Sequence, residues 1–209
     1  MGAADYDTLV GLARLELDVR KSRFLAIATA VASAEDAMAF FERHRVADAT
    51  HNCWAYKIGQ AYRFNDDGEP GGTAGKPILQ AIEGQGLDGV AVLVIRWFGG
   101  IKLGAGGLVR AYGGCAAQCL RQAERHRVIA TTGVSFVCGF GDLGAVRQRL
   151  QQAGALAIQT DFGSTQVAVS AQVPLPELGQ LESALADITR GKAGWIIHRS
   201  PAADEPDQA

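Results

Sequence analysis

Three acids, Asp66, Asp67 and Glu69, fall within four residues in the segment RFNDDGEPGGTAGKP, with Thr73 and Lys76 close behind. Paired carboxylates can divide acid and base roles, or hold a Mg²⁺ ion that bridges phosphates. On that reading Asp66, Asp67, Glu69 and His51 are catalytic candidates, and Asp66 and Asp67 are candidate metal ligands. His51, at the start of a strand, is placed to hydrogen-bond the acidic turn. The alternative is architectural: the Asp side chains cap local N–H groups and Glu69 faces water. A thiol nucleophile at Cys53 beside His51 is disfavoured, because Cys53 shares the apolar parity of Ala55 and reads as buried and inert.

A second chemistry is phosphate binding. GGTAGKP resembles a phosphate loop only superficially, since Pro77 stands where a P-loop needs Ser or Thr and no strand leads directly into it. The stretch GGIKLGAGG carries more weight. It sets Lys102 between two glycine turns just ahead of a long helical pattern, whose first N–H groups are free to meet an anion. Lys76, Arg96, Lys102, Gly104, Gly106, Gly107 and Arg110 are therefore the phosphate-binding candidates. The competing explanation is that Gly106 and Gly107 permit close helix–sheet contact while Lys102 stays solvated. Trp54, Tyr56, Tyr62, Phe64, Trp97 and Phe98 surround these segments, and aromatics among cations can stack single-stranded bases.

What holds such groups in place must tolerate unusual backbone, for fifteen glycines lie between Gly59 and Gly114. Glycine loses the most backbone freedom on folding, so this density belongs where the chain turns sharply or is closely approached. Hydrophobic residues make up 48% of the 209-residue chain and charged residues 20%, which describes a globular protein with a real core. The net charge is −2, so no global field steers it to duplex DNA. Residues 1–130 hold 15 basic and 14 acidic residues, against 5 and 8 in residues 131–209, which confines any polyanion site to a local patch in the first part. The cysteines at 53, 115, 119 and 138 lack a complementary histidine cluster, and no structural metal or cofactor is expected. No apolar run approaches the ~20 residues that cross a bilayer, and no leader opens the chain. Reduced thiols in such a chain suggest the cytoplasm.

The periodicities predict strands over 9–18 and Phe24–Val31, joined by a short basic turn at Val19–Ser22. Ser33 and Asp36 form a capping box for a helix to about His44. A strand follows at His51–Ile58 with Cys53 and Ala55 on one face and Trp54 and Tyr56 on the other. Residues 65–75 are irregular, and Pro77 is expected as the first residue of a short helix. The β-branched run Val90–Ile95 is a buried central strand. A long helix covers Gly104 to about Glu124, with Cys115 and Cys119 one turn apart as core packing. Beyond it the order strand, helix, strand, strand, helix, strand is a ferredoxin-like βαββαβ unit. The expected boundaries are 1–128, 129–200 and a disordered polar tail at 201–209.

The ordered motifs resemble one family. His51-Asn52-Cys53-Trp54-Ala55-Tyr56, Asp66-Asp67-Gly68-Glu69-Pro70 with Gly72-Thr73-Ala74-Gly75, Ile82-Glu83-Gly84, Arg96 through Gly104, and Gly107 through Gly113 together resemble the YigZ/IMPACT family over roughly residues 15–125. Asn65 and Gly71 stand where that family usually has serines. The resemblance implies an α+β protein: an N-terminal domain like ribosomal protein S5 domain 2, then a ferredoxin-like domain like domain V of elongation factor G. It also implies a translation-related connection to RNA or the ribosome; a binding role is favoured over catalysis on that basis, with a hydrolytic or phosphate-handling enzyme and a protein-interaction module as the alternatives. The eukaryotic members act partly through another domain, so their partner is not transferred to this sequence.

Overall fold

A computed structural model of the chain describes residues 5–198. Two compact units divide it, one of Tyr6–Val128 and the other of Asp5 with the described residues from Ile129 onward. The first unit runs β1 (Tyr6–Leu9), β2 (Ala13–Val19), β3 (Ser22–Ala30), α1 (Ala34–His44), β4 (His51–Ile58), β5 (Ala61–Asn65), α2 (Gly75–Glu83), β6 (Val90–Trp97), α3 (Ala105–Gln122) and β7 (Arg125–Val128).

Five of these strands form an antiparallel sheet in the order β2-β3-β6-β4-β5, with the β-branched β6 at its centre. Alternation divides β6 cleanly between two cores. Val90, Val92 and Val94 face α2 and α3, while Ala91, Leu93 and Ile95 pack with Phe40 and Phe41 of α1. Burial on both faces explains why this strand is apolar at every position from Val90 to Ile95. In α3 the buried positions are Leu108, Ala111, Tyr112, Cys115, Ala116, Cys119 and Leu120, a stripe at three- and four-residue spacing. Both α3 thiols are buried, and burial is the main cause that pushes Cys115 up to about 12 and Cys119 up to about 11.

The hairpin of β2 and β3 turns through only Arg20 and Lys21, with φ of 44° and 68°. A two-residue loop needs positive φ at both positions, which normally selects Asn-Gly. Two long cations there strain the backbone by roughly 1–2 kcal/mol each. The expected strand over 9–18 is instead two strands, broken at Gly11 (φ 71°), and β1 pairs with β7. The Ser33 cap forms as expected, accepting from the Asp36 N–H. Pro77 is corrected to the third residue of α2, because the helix starts at Gly75. Its missing N–H still costs nothing, since the first four N–H groups of a helix have no intrahelical acceptor.

The second unit runs β8 (Thr131–Cys138), α4 (Leu143–Gln152), β9 (Leu156–Phe162), β10 (Val167–Pro174), α5 (Leu178–Thr189) and β11 (Ile196–His198). Its antiparallel sheet has the order β11-β8-β10-β9, which is the ferredoxin-like arrangement. Alternate residues of β8 and β10, including Val134, Phe136, Val169 and Val173, bury against Val146, Leu150, Leu181 and Leu185 of the two helices. The protein is thus α+β throughout. The expected tail at 201–209 lies outside the described residues.

Candidate functional site

Two glycine-rich turns lead into helices of the first unit, and their chemistry differs. In the first, residues 66–75, the carboxylate of Asp66 accepts three backbone hydrogen bonds. Oδ1 takes Ala74 N–H (2.9 Å) and Gly75 N–H (2.8 Å), and Oδ2 takes Gly72 N–H (2.8 Å). Asp66 therefore caps α2 from outside the helix, where the adjacent Ala74 has no side chain to do so. Asp67 Oδ2 accepts from Asn52 N–H at 2.5 Å, and Asn65 Oδ1 accepts from Asp67 N–H at 2.7 Å. Asn65 thus holds the turn through its side chain. A carbonyl can only accept, so the 2.7 Å contact between His51 Nδ1 and Asp67 O places the ring proton on Nδ1. Cys53 Sγ donates to Asp66 O at 3.0 Å, and burial above all pushes its thiol far up.

These contacts favour the architectural reading of the acidic turn. Both oxygens of Asp66 are engaged by backbone N–H groups, whereas Asp67 spends Oδ2 on Asn52 N–H and stays exposed beside Trp54 and Arg45. Among the described residues no group of three His, Cys, Asp or Glu side chains is gathered to hold a metal.

Glu69 corrects that reading in one respect. It does not face water but is 8% exposed, and its Oε1 accepts from Arg96 Nη1 (2.5 Å) and from the Tyr112 hydroxyl (2.8 Å). His51 Nε2 stands 3.7 Å from the same oxygen, and Arg96 Nη2 donates to Ser22 Oγ at 3.3 Å. Burial is also the first cause that drives the Tyr112 hydroxyl far up, keeping it a donor. Arg96, expected to meet phosphate, is only 5% exposed, and its charge is matched internally. The sequence held the signal: Arg96 continues the parity of Val90, Val92 and Val94, so it must enter the core beneath α3 and find a counter-charge there. Tyr112 and Ser22 were missed as its partners because nothing in their local sequence marks them.

The second turn, residues 99–107, is open. A Cβ on Gly99 would lie 1.8 Å from the Lys21 carbonyl oxygen, so only glycine lets this loop sit against the Arg20–Lys21 hairpin tip. Gly104 (φ 70°) is the N-cap of α3 and offers no side chain to its first-turn N–H groups. The first i to i+4 bond of the helix runs from Leu108 N–H to Gly104 O. Lys102 is exposed and has no hydrogen bond or ion pair among the described residues.

This turn borders a cleft of about 430 Å³, lined by Thr50, His51, Glu69, Pro70, Arg96, Phe98, Lys102, Leu103, Gly104, Ala105 and Leu108. Phe98 is 46% exposed on its rim. Of the phosphate-binding candidates Arg96, Lys102 and Gly104 line this cleft, together with Glu69 and His51. Asp66, Asp67 and Lys76 do not line it. Gly107 and Arg110 line a neighbouring hollow with Leu17, Val19 and Arg20, and Leu103 borders both. Gly106 is exposed and is not pressed against the sheet.

Comparison with known proteins adds the lineage. The Impact N-terminal domain matches residues 20–120, which contain every residue of the cleft, and a domain of unknown function (DUF1949) matches residues 136–192. The chain is 47% identical over 181 residues to an IMPACT family member of Thermus thermophilus, covering 85% of this chain and 98% of that protein. The chain belongs to the IMPACT family. It is also 36% identical to the family member YigZ of Escherichia coli, covering 83% of this chain and 88% of YigZ. A crystal structure described as that of a hypothetical protein superposes with a TM-score of 0.68 at 32% identity, covering 98% of this chain and all of that one. No helix among the described residues is long and apolar enough to cross a membrane.

Proposed function

We propose that the cleft at the N-terminus of α3 binds single-stranded RNA, free or as part of the ribosome, in a translation-related regulatory role in the cytoplasm, without catalysis. One observation carries this reading: an unpaired cation, Lys102, an uncapped helix start and an exposed aromatic, Phe98, share one cleft. A helix N-terminus and a lysine suit a phosphate, and a base stacked on an aromatic ring contributes about 1–3 kcal/mol whatever its identity. Arg20 and Arg110, in the adjoining hollow, extend the cationic rim so that a backbone can continue beyond the first phosphate. The net charge of −2 argues against strong duplex DNA binding, because non-specific duplex affinity comes almost wholly from phosphate neutralisation.

The test is binding to single-stranded RNA, structured RNA and ribosomal subunits across a salt series. Lys102→Ala with Arg110→Ala should weaken binding to single strands and flatten the salt dependence by about one unit for each phosphate left without its cation. Absence of binding at low salt, or affinity unchanged in the double variant, contradicts the proposal. A partner captured from extract that survives nuclease treatment would favour a protein ligand on the same face.

A further inference from the structure

The network beneath the cleft leaves two atoms without partners among the described residues: Arg96 Nε, which is closed off from solvent, and the second carboxylate oxygen of Glu69. Glu69 Oε1 receives the hydrogen bonds from Arg96 and Tyr112 and lies nearest His51. Oε2 has no hydrogen-bond partner among the described residues, yet it is not among the polar atoms closed off from solvent. The side chain is otherwise buried, and the residue lines the cleft that holds Lys102 and the start of α3. A carboxylate oxygen beside an anion-binding surface is a poor neighbour for an acceptor-only ligand. It repels the phosphate that Lys102 attracts unless that ligand also brings a hydrogen-bond donor close to its phosphate.

We propose that Glu69 Oε2 accepts the ribose 2′-hydroxyl of the nucleotide whose phosphate meets Lys102 and the α3 amides, so that the cleft selects RNA over DNA. The inference rests on the RNA-binding reading of this cleft and assigns its selectivity. A DNA backbone offers acceptors alone, whereas every RNA residue carries a donor on the sugar next to its phosphate. A donor on a base edge would make recognition depend on sequence, and the face that Phe98 can stack is common to all bases. Fixing the acceptor matters as much as supplying it. Arg96, held in turn by Ser22, and Tyr112 clamp Oε1 from two directions, so the carboxylate does not rotate away when the cleft is empty.

The unmodified protein tests this, so the first readout does not depend on the folding of a variant. Anisotropy titrations would use labelled uridine oligonucleotides of about eight residues in ribose, 2′-deoxy and 2′-fluoro forms. The 2′-fluoro sugar keeps the ribose-like pucker but lacks the donor. Both substituted forms should bind at least about tenfold more weakly than ribose, the loss typical of a hydrogen bond to a charged group. Lys102→Ala should weaken all three by a similar factor and leave their ratio intact. Glu69→Gln, if it retains the native circular dichroism and melting transition, should bring the ratio toward one. Equal binding of ribose and deoxyribose, both weakened by Lys102→Ala, overturns the inference and leaves the RNA site standing. Tight binding of the 2′-fluoro form shows that sugar pucker and not the hydroxyl is read, and also overturns it. Failure of all three to bind removes the RNA reading itself.

Discussion

The turns at 66–75 and 99–107 share a composition and a position ahead of a helix, but they differ in where their hydrogen-bonding capacity goes. In the first, Asp66 occupies the N–H groups of Gly72, Ala74 and Gly75, and Asp67 reaches the β4 backbone, so the turn closes on itself. In the second, glycine at the N-cap leaves the first turn of α3 without a side-chain cap, and Lys102 has no partner among the described residues. Glycine density marks both as places of unusual backbone. Only the unfilled donors of the second mark it as a place for a ligand. Glu69 links the two, because it leaves the closed turn and forms part of the floor of the open one.

The strongest way to break this contrast is at that link. Glu69→Ala leaves the Arg96 guanidinium buried without its counter-charge and the Tyr112 hydroxyl without its acceptor. Breaking one side of a buried pair costs about 3–5 kcal/mol. Urea unfolding should show a loss of that order; a loss near zero would mean that Arg96 finds water or another partner and that the floor is not rigid.

Next in size is the closed turn itself. Asp66→Ala removes the acceptor for three N–H groups and should lower stability by about 2 kcal/mol, at the upper end for a lost helix cap. Affinity for single-stranded RNA should not change beyond what partial unfolding explains. If Asp66→Ala abolished binding in a still-folded protein, the two turns would be one site and the distinction drawn between them would fail.

A smaller effect concerns α3, which presents the open turn. Its thiols titrate higher in the folded chain than in the unfolded one, with Cys119 raised to about 11 and Cys115 to about 12 from an ordinary 9.0. Their contribution to stability is fully present below pH 9 and is lost as pH rises toward 11–12, because the unfolded chain releases those protons first. Unfolding curves between pH 8 and about 10.5 should therefore move to lower denaturant, and replacing both cysteines with alanine should flatten that slope. The smallest stability effect belongs to the open turn. Lys102→Ala should change unfolding free energy by less than about 0.5 kcal/mol, as exposed substitutions without partners do, while weakening RNA binding.

Much of the frame was legible because it follows from alternation. The run Val90–Ile95 could only be a strand buried on both faces, and the βαββαβ order of the second unit was readable from alternating apolar positions and turn residues. Other elements left no such trace. β5 (AYRFN) is exposed at every position, and β7 (RHRV) carries three basic side chains, so neither shows a buried face that a pattern could reveal. The start of α2 was misplaced by two residues because its cap, Asp66, lies eight residues before Ala74 and not at the adjacent position. The acids were located, and of the two readings open for them the capping one describes Asp66 but misplaces Glu69. Asp66 serves the turn as the architectural reading expects, whereas Glu69, which that reading puts in water, is buried and lines the cleft. Sequence spacing shows which groups are near each other along the chain, but not which N–H groups the fold brings to a carboxylate.

The central claim is that an anion settles at the open turn and not at the closed one, and amide chemical shifts read it directly. Isotope-labelled protein titrated with a short single-stranded RNA should show saturable shifts at the N–H groups of Ala105, Gly106 and Gly107, with Phe98 ring signals moving alongside. The amides of Gly72, Ala74 and Gly75 should stay in place, since Asp66 already holds them. Shifts confined to Gly72–Gly75, or none at the start of α3 while RNA binds elsewhere, would contradict the account.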